Sequence, residues 1–224
     1  MSSLLSIRNL SIGFDTDAGL APGVEGIDLD VRRGEIVALV GESGSGKSIT
    51  ALSILRLLPA PPARVLRGEI LFTRPGGQTV DLLAQPVSEL RQIRGGEIGM
   101  IFQEPMTSLN PVYTCGDQVI EAIRIHRKMG KREARQEAVA LFEKVQLPDP
   151  EQIISRYPHQ LSGGQKQRIM IAMAMSGGPS LLICDEPTTA LDVTVQKTIL
   201  ELIRALQRSE DLGVIFYYPR PWGG

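Results

Sequence analysis

Residues 36–48 read IVALVGESGSGKS, and the fold follows from this stretch. Ile36 to Val40 is apolar throughout, which predicts a strand buried on both faces, as in a parallel sheet. The next eight residues, Gly41-Glu42-Ser43-Gly44-Ser45-Gly46-Lys47-Ser48, fit the pattern G-x-x-x-x-G-K-[ST]. A helical pattern runs on from Lys47 to Leu58 and stops at Pro59, Pro61 and Pro62. Strand, glycine loop and helix in this order make a phosphate cradle. Glycines let the backbone wrap closely enough for its N–H groups to face phosphate oxygens. The helix N-terminus adds partial positive charge. Lys47 offers a compact cation to the β- and γ-phosphates, and Ser48 offers a hydroxyl to Mg²⁺.

Before this stretch, LSIRNLSIGF and GIDLDV alternate at period two and predict strands, with a Gly/Pro-rich loop from Asp15 to Gly26 between them. GEILF and EIGMIF are short strand candidates between residues 64 and 102. Residues 116–146 read as largely helical. Ala134, Ala138, Leu141, Phe142 and Val145 share one face of KREARQEAVALFEKVQ. SLLIC, Ser180 to Cys184, predicts a second strand buried on both faces. An amphipathic helix follows from Val193 to Arg208, with Val195, Ile199, Leu202, Ile203 and Leu206 inward, and GVIF, Gly213 to Phe216, is a last strand. Strands alternating with helices around all-apolar strands predict an α/β core with a parallel sheet.

Composition narrows the function classes. The 224 residues carry 24 Lys and Arg against 25 Asp and Glu, a net charge of −1. That argues against a surface that coats polyanions, so no nucleic-acid partner is expected. No run of 18 apolar residues occurs, so no bilayer-spanning helix is expected, and MSSLLSIRNL lacks the layout of a secretory signal. The two cysteines, Cys115 and Cys184, are expected to be small buried apolar residues in a reducing compartment.

Two further clusters carry chemistry. LLICDE, Leu181 to Glu186, puts two carboxylates at the end of a buried strand, where parallel sheets place their ligand sites. Asp185 suits a Mg²⁺ contact, and Glu186 is the adjacent candidate to polarise an attacking water. Leu161-Ser162-Gly163-Gly164-Gln165 precedes a helical run from Lys166 to about Met175, with Ser162 as a plausible N-cap and glycine amides at a positive helix end. His126 and His159 stand away from other ligand types at useful spacing and read as structural or exposed.

GESGSGKS, LSGGQ and LLICDE, in that order, resemble the ATP-binding cassette (ABC) ATPases, and the resemblance runs from about Leu5 to Phe216. EPMTSLNPV, YPHQLSGGQKQRIMIAMA and DEPTTALDVTVQ resemble the peptide/nickel importer branch. The resemblance implies a P-loop NTPase core with a parallel sheet, an N-terminal antiparallel β subdomain and an α-helical subdomain at about 105–157, within an ATP-binding domain at 1–216. It implies ATP and Mg²⁺ held by residues 41–49, Ile49 included, with Phe14 stacking on adenine. Gln103 would sense the nucleotide and its metal, and Asp192 would lie in the D-loop. It also implies a head-to-tail pair with an identical or paralogous cassette, whose Ser162, Gly163, Gly164 and Gln165 cap the ATP held by the other copy. Two transmembrane permease subunits and, indirectly, an extracytoplasmic solute-binding protein would complete an importer at the cytoplasmic face of the membrane.

The sequence departs from this pattern at its end. No histidine occurs after His159, whereas the resemblance implies a switch histidine just past GVIF. Residues 217–224, YYPRPWGG, hold two of the four tyrosines and the only tryptophan, unlike the body of the chain. These departures lead to the expectation of a C-terminally truncated cassette that binds ATP–Mg²⁺ and hydrolyses it slowly. A non-transport ABC ATPase is the other alternative, against which stand the absence of coiled coils, tandem cassettes and basic patches.

Overall fold

The structure, a computed structural model, describes residues 3–42, 44–102, 108–189 and 191–219. Two four-stranded sheets organise it. The first is antiparallel, in the order β2-β1-β4-β5, from β1 (Leu5–Thr16), β2 (Gly19–Val31), β4 (Ala63–Thr73) and β5 (Thr79–Asp81). The second is parallel, in the order β3-β8-β7-β6, from β3 (Ile36–Gly41), β6 (Ile98–Ile101), β7 (Leu181–Asp185) and β8 (Gly213–Pro219). Helices α1 (Lys47–Ile54), α2 (Val87–Ile93), α3 (Cys115–Arg127), α4 (Lys131–Lys144), α5 (Pro150–Ile153), α6 (Gly163–Met175) and α7 (Val193–Glu210) complete the described elements, with a 3₁₀ turn at Pro158–Gln160.

The parallel sheet divides the hydrophobic interior in two, because alternate residues of a strand point to opposite faces. Leu181 and Ile183 of β7, with Ile215 and Tyr217 of β8, pack with Ala51 and Ile54 of α1 and with the inner face of the antiparallel sheet. Leu182 and Cys184, with Val214 and Phe216, pack instead against the apolar faces of α3, α4, α6 and α7. Every residue of β7 is buried, as its uninterrupted apolar run predicts. On α4, Ala134, Ala138, Leu141 and Phe142 are buried, and Val145 just beyond it is buried too. Both cysteines are buried and unbridged. Burial lifts the Cys115 thiol to about 11 and the Cys184 thiol well beyond its ordinary value, so both behave as small apolar side chains.

Four expectations need correction. The strand Ile36–Val40 is not buried on both faces. It is the edge of the parallel sheet, its residues alternate between exposed and half-buried, and Val40 is 60% exposed. An apolar run identifies strand character, but the number of neighbouring strands decides burial. The segment Asp15–Gly26 is not a loop. It continues β1 and β2 as a hairpin paired from Asp15↔Leu20 and Thr16↔Gly19 back to Ile12↔Val24, which accommodates Pro22 opposite Gly13. The helix from Lys47 ends at Ile54 rather than Leu58, with Leu55 as its C-cap and Arg56 in the left-handed region at φ 49°. The last strand continues past Phe216 to Pro219, so Tyr217 and Tyr218 belong to β8 rather than to an atypical tail. Aromatic residues favour strands, and Tyr217 finds a fully buried place there.

Candidate functional site

The loop 41–46 leaves the C-terminal end of β3 and enters α1 through Gly46, at φ 86°. Gly44 is also left-handed, at φ 82°. A side chain at Gly46 would be strained by that φ and would also strike Val24, since an added Cβ would lie 2.3 Å from Val24 Cγ1. Among the described residues no side chain caps α1, which leaves its first amides without a capping oxygen. Lys47 Nζ donates to the carbonyls of Gly41 at 2.7 Å and Glu42 at 2.8 Å, which curls the ammonium back over the loop. Ser48 Oγ donates to Asp185 Oδ1 at 3.2 Å, across 137 residues of sequence. The cradle and the carboxylate at the end of β7 are therefore one site.

Asp185 is 5% exposed, and among the described residues its hydrogen-bond partner is the neutral hydroxyl of Ser48. Burial raises its pKa. The Ser48 bond opposes that rise, Glu186 adds to it, and Lys47 opposes it. A buried carboxylate beside a hydroxyl suits a hard dication completed by phosphate oxygens and water, so these residues fit Mg²⁺. Glu186 leaves the strand in the left-handed region at φ 48°, and its N–H donates to the Tyr217 carbonyl at 3.1 Å. Thr189 Oγ1 lies 3.2 Å from Glu186 Oε2 and 3.2 Å from the Glu186 carbonyl, so the hydroxyl steadies the turn that carries the carboxylate.

Phe14 is half-buried and lies against Gly23, where an added Cβ would meet its Cε2 at 2.5 Å. Gly23 and Val24 in turn back onto Gly46, so the ring stands beside the cradle. Ser43, Gln103 and Ala190, each within an expected motif, lie outside the described residues.

The second cluster forms on the other face of the parallel sheet, where α6 and α7 begin. Ser162 caps α6: its Oγ accepts from Gln165 N at 3.3 Å, while Gln165 Oε1 accepts from Ser162 N at 3.0 Å. Asp192 Oδ1 accepts from Val195 N at 3.0 Å and caps α7. The two helix starts touch at Gly164, where an added Cβ would lie 2.9 Å from Val195 Cγ1. Gly163 faces Leu191 at 3.4 Å on the same measure. Among the described residues no hydrogen bond or ion pair joins Ser162–Gln165 to Lys47 or Ser48. His126 is half-buried against Gly95, and His159 stacks on Tyr157 at 5.7 Å, with neither in the site.

Sequence reasoning missed four residues. Val24 and Gly23 buttress Gly46 from β2, Thr189 holds Glu186, and Tyr217 lies beside Asp185. Val24, Gly23 and Thr189 carry no signal in a single sequence. Tyr217 carried one, as an aromatic residue in a chain with few.

A parallel sheet whose edge strand feeds a glycine loop, together with an antiparallel sheet and a helical layer, defines a nucleotide-binding cassette. The sequence profile of the ABC transporter family matches residues 24–189, and the chain belongs to this family. It is 50% identical over 213 residues to the glutathione import ATP-binding protein GsiA of Salmonella choleraesuis (strain SC-B67), and 48% identical over 214 residues to that of Escherichia coli (strain K12). These alignments cover 95% and 96% of this chain, which spans 34% of the length of each relative. Among solved structures it resembles the dimeric ATP-binding cassette MJ0796 bound to ADP and Pi, with a TM-score of 0.79 and 27% identity over 95% of this chain and 87% of that one. It also resembles cbiO1 from Clostridium perfringens, part of the ABC transporter complex cbiONQ, with a TM-score of 0.76 and 26% identity over 98% and 79% of the two chains.

Proposed function

We propose that this chain is the ATP-binding and hydrolysing unit of a membrane importer for peptides or a related small solute such as glutathione. The observation that carries the nucleotide site is the Ser48–Asp185 hydrogen bond, which joins the phosphate cradle to the metal carboxylate. The names of the relatives support the import role, and the described residues contain no helix long and apolar enough to cross a membrane. The chain would therefore act through permease partners at the cytoplasmic face of the membrane.

In this reading the amides of Gly44, Ser45, Gly46 and Lys47 face the phosphates, with Ile49 flanking them. Lys47 exchanges its two carbonyl partners for phosphate oxygens, which bear full negative charge and hold an ammonium more strongly. Phe14 offers a ring face to the base. Ser48 and Asp185 hold Mg²⁺, with Gln103 as a further ligand from outside the described residues. The ion, when bound, neutralises phosphate charge and polarises the γ-phosphate. Glu186, steadied by Thr189, accepts hydrogen bonds from the attacking water and draws a proton toward its carboxylate. Ser162, Gly163, Gly164 and Gln165, on the opposite face from α1, present a helix N-terminus to the nucleotide of a second cassette. Asp192 shapes the same surface by capping α7.

Isothermal calorimetry with MgATP, followed by a steady-state phosphate assay, tests this. Lys47→Ala is expected to abolish measurable binding, and Glu186→Gln to preserve binding while cutting turnover at least 100-fold, within the range general-base catalysis provides. Unchanged binding by Lys47→Ala would overturn the assignment. Tight binding with negligible turnover by the unaltered chain would favour a cassette that holds nucleotide without splitting it.

A further inference from the structure

Tyr217 on β8 pairs with Asp185 on β7, and on its other side with Leu39 on β3. Strand alternation places Tyr217 with Ile215, Leu181 and Ile183 on the face that packs against Ala51 and Ile54 of α1. Asp185 shares that face, since Ser48 of α1 reaches it directly. The Tyr217 side chain is fully buried, yet among the described residues its hydroxyl has no hydrogen-bond partner. Phenylalanine would fill the same space without stranding a polar group, and native interiors rarely leave such a group unsatisfied. The neighbouring carboxylate is incomplete in the complementary sense. Its Oδ1 accepts from Ser48, and among the described residues nothing donates to Oδ2.

We propose that Tyr217 is a positioning residue for the metal carboxylate, its hydroxyl donating to Asp185 Oδ2 when a divalent ion is held by Ser48 and Asp185. The bond would form on the face of the sheet that the paired residues Tyr217 and Asp185 share. It then fixes the carboxylate plane and leaves Oδ1 directed at the ion, as hydrogen-bonded outer partners do for metal ligands generally. The proposal rests on the reading of Asp185 as a metal ligand.

The test uses the whole chain with a non-hydrolysable ATP analogue and Mn²⁺ as the probe, titrated by electron paramagnetic resonance. Tyr217→Phe is expected to weaken Mn²⁺ binding about tenfold, the lower end of the range for outer-partner loss. Nucleotide affinity in EDTA should stay as in the unaltered chain, and the metal-free melting temperature should not fall. Asp185→Asn should weaken Mn²⁺ binding further, and adding Tyr217→Phe to it should change little, because the two residues act as a unit. Mn²⁺ affinity within twofold of the unaltered chain for Tyr217→Phe, with Asp185→Asn impaired, would overturn the proposal alone. Unimpaired Mn²⁺ binding by Asp185→Asn would overturn the metal reading, and the proposal with it. Should Tyr217→Phe lower the metal-free melting temperature and weaken nucleotide binding equally with and without the ion, its role is packing and the proposal fails.

Discussion

Burial raises the pKa of Asp185, which means that folding disfavours its charged form, the form its proposed metal role needs. The sign follows from the direction of the shift. For an acid whose pKa is higher folded than unfolded, the stabilising contribution is present below its unfolded value of 3.8 and is lost as pH rises through the folded value. Asp185→Asn keeps an oxygen to accept from Ser48 and removes the charge. It is expected to stabilise the metal-free protein by about 1–2 kcal/mol at pH 7. That gain should shrink toward zero below about pH 4, where both carboxyl forms are protonated. Melting curves at pH 4 and pH 7 check this. Mn²⁺ affinity should fall on acidification, with a midpoint above the ordinary aspartate value, for the same reason. These residues were legible in the sequence because the cradle and LLICDE are contiguous motifs. Tyr217 was not assigned a role there, since its pairing with Asp185 exists only once β7 and β8 are adjacent.

At the scale of elements, the contact between the starts of α6 and α7 governs the second cluster. Gly164 reads in sequence as a residue that leaves amides open, but in the structure it also lets Val195 approach. Gly164→Ala would place its Cβ 2.9 Å from Val195 Cγ1 and is expected to destabilise the protein by about 1–2 kcal/mol through overpacking. Val195→Ala in the same chain should recover most of that loss, and urea denaturation of the single and double variants measures it. Ser162→Ala removes the α6 cap and should destabilise by about 1 kcal/mol, with no metal dependence. The helices and their inward faces were readable from 3.6-residue periodicity. The β1–β2 hairpin was not, because Gly and Pro within Asp15–Gly26 signal a loop locally while cross-strand pairing on both sides of β1 overrides them.

Across the whole molecule, the two sheets are tied at Arg74, just past β4. Its guanidinium donates to Glu97 through Nε at 3.0 and 3.1 Å and through Nη2 at 2.5 Å, and Glu89 lies within 3.5 Å of Nη1. The hydrogen bond to Glu97 is the largest cause that raises the Arg74 pKa. The pair is mostly shielded, with side chains 23% and 16% exposed, so it belongs between surface and buried ion pairs. Arg74→Ala is expected to lower stability by about 1–2 kcal/mol, or a few degrees in melting temperature for a chain of this size. Its MgATP affinity should remain as in the unaltered chain, since Arg74 lies outside the site, and calorimetry separates the two effects. Saturating MgATP at about 100 times Kd should raise stability by about 2.7 kcal/mol in either protein.

The sequence by itself determined the class of fold, the glycine loop that follows β3, the two carboxylates at the end of β7 and the turn capped by Ser162. Each is a local pattern whose chemistry is carried by neighbouring residues. Only the tertiary structure decided that β3 is an edge strand, that the orphan phenol of Tyr217 lies beside Asp185, and that Val195 seats on Gly164. These are contacts between segments far apart in the chain. They depend on which strands become neighbours and how closely helices approach, and no period or motif along one segment encodes that.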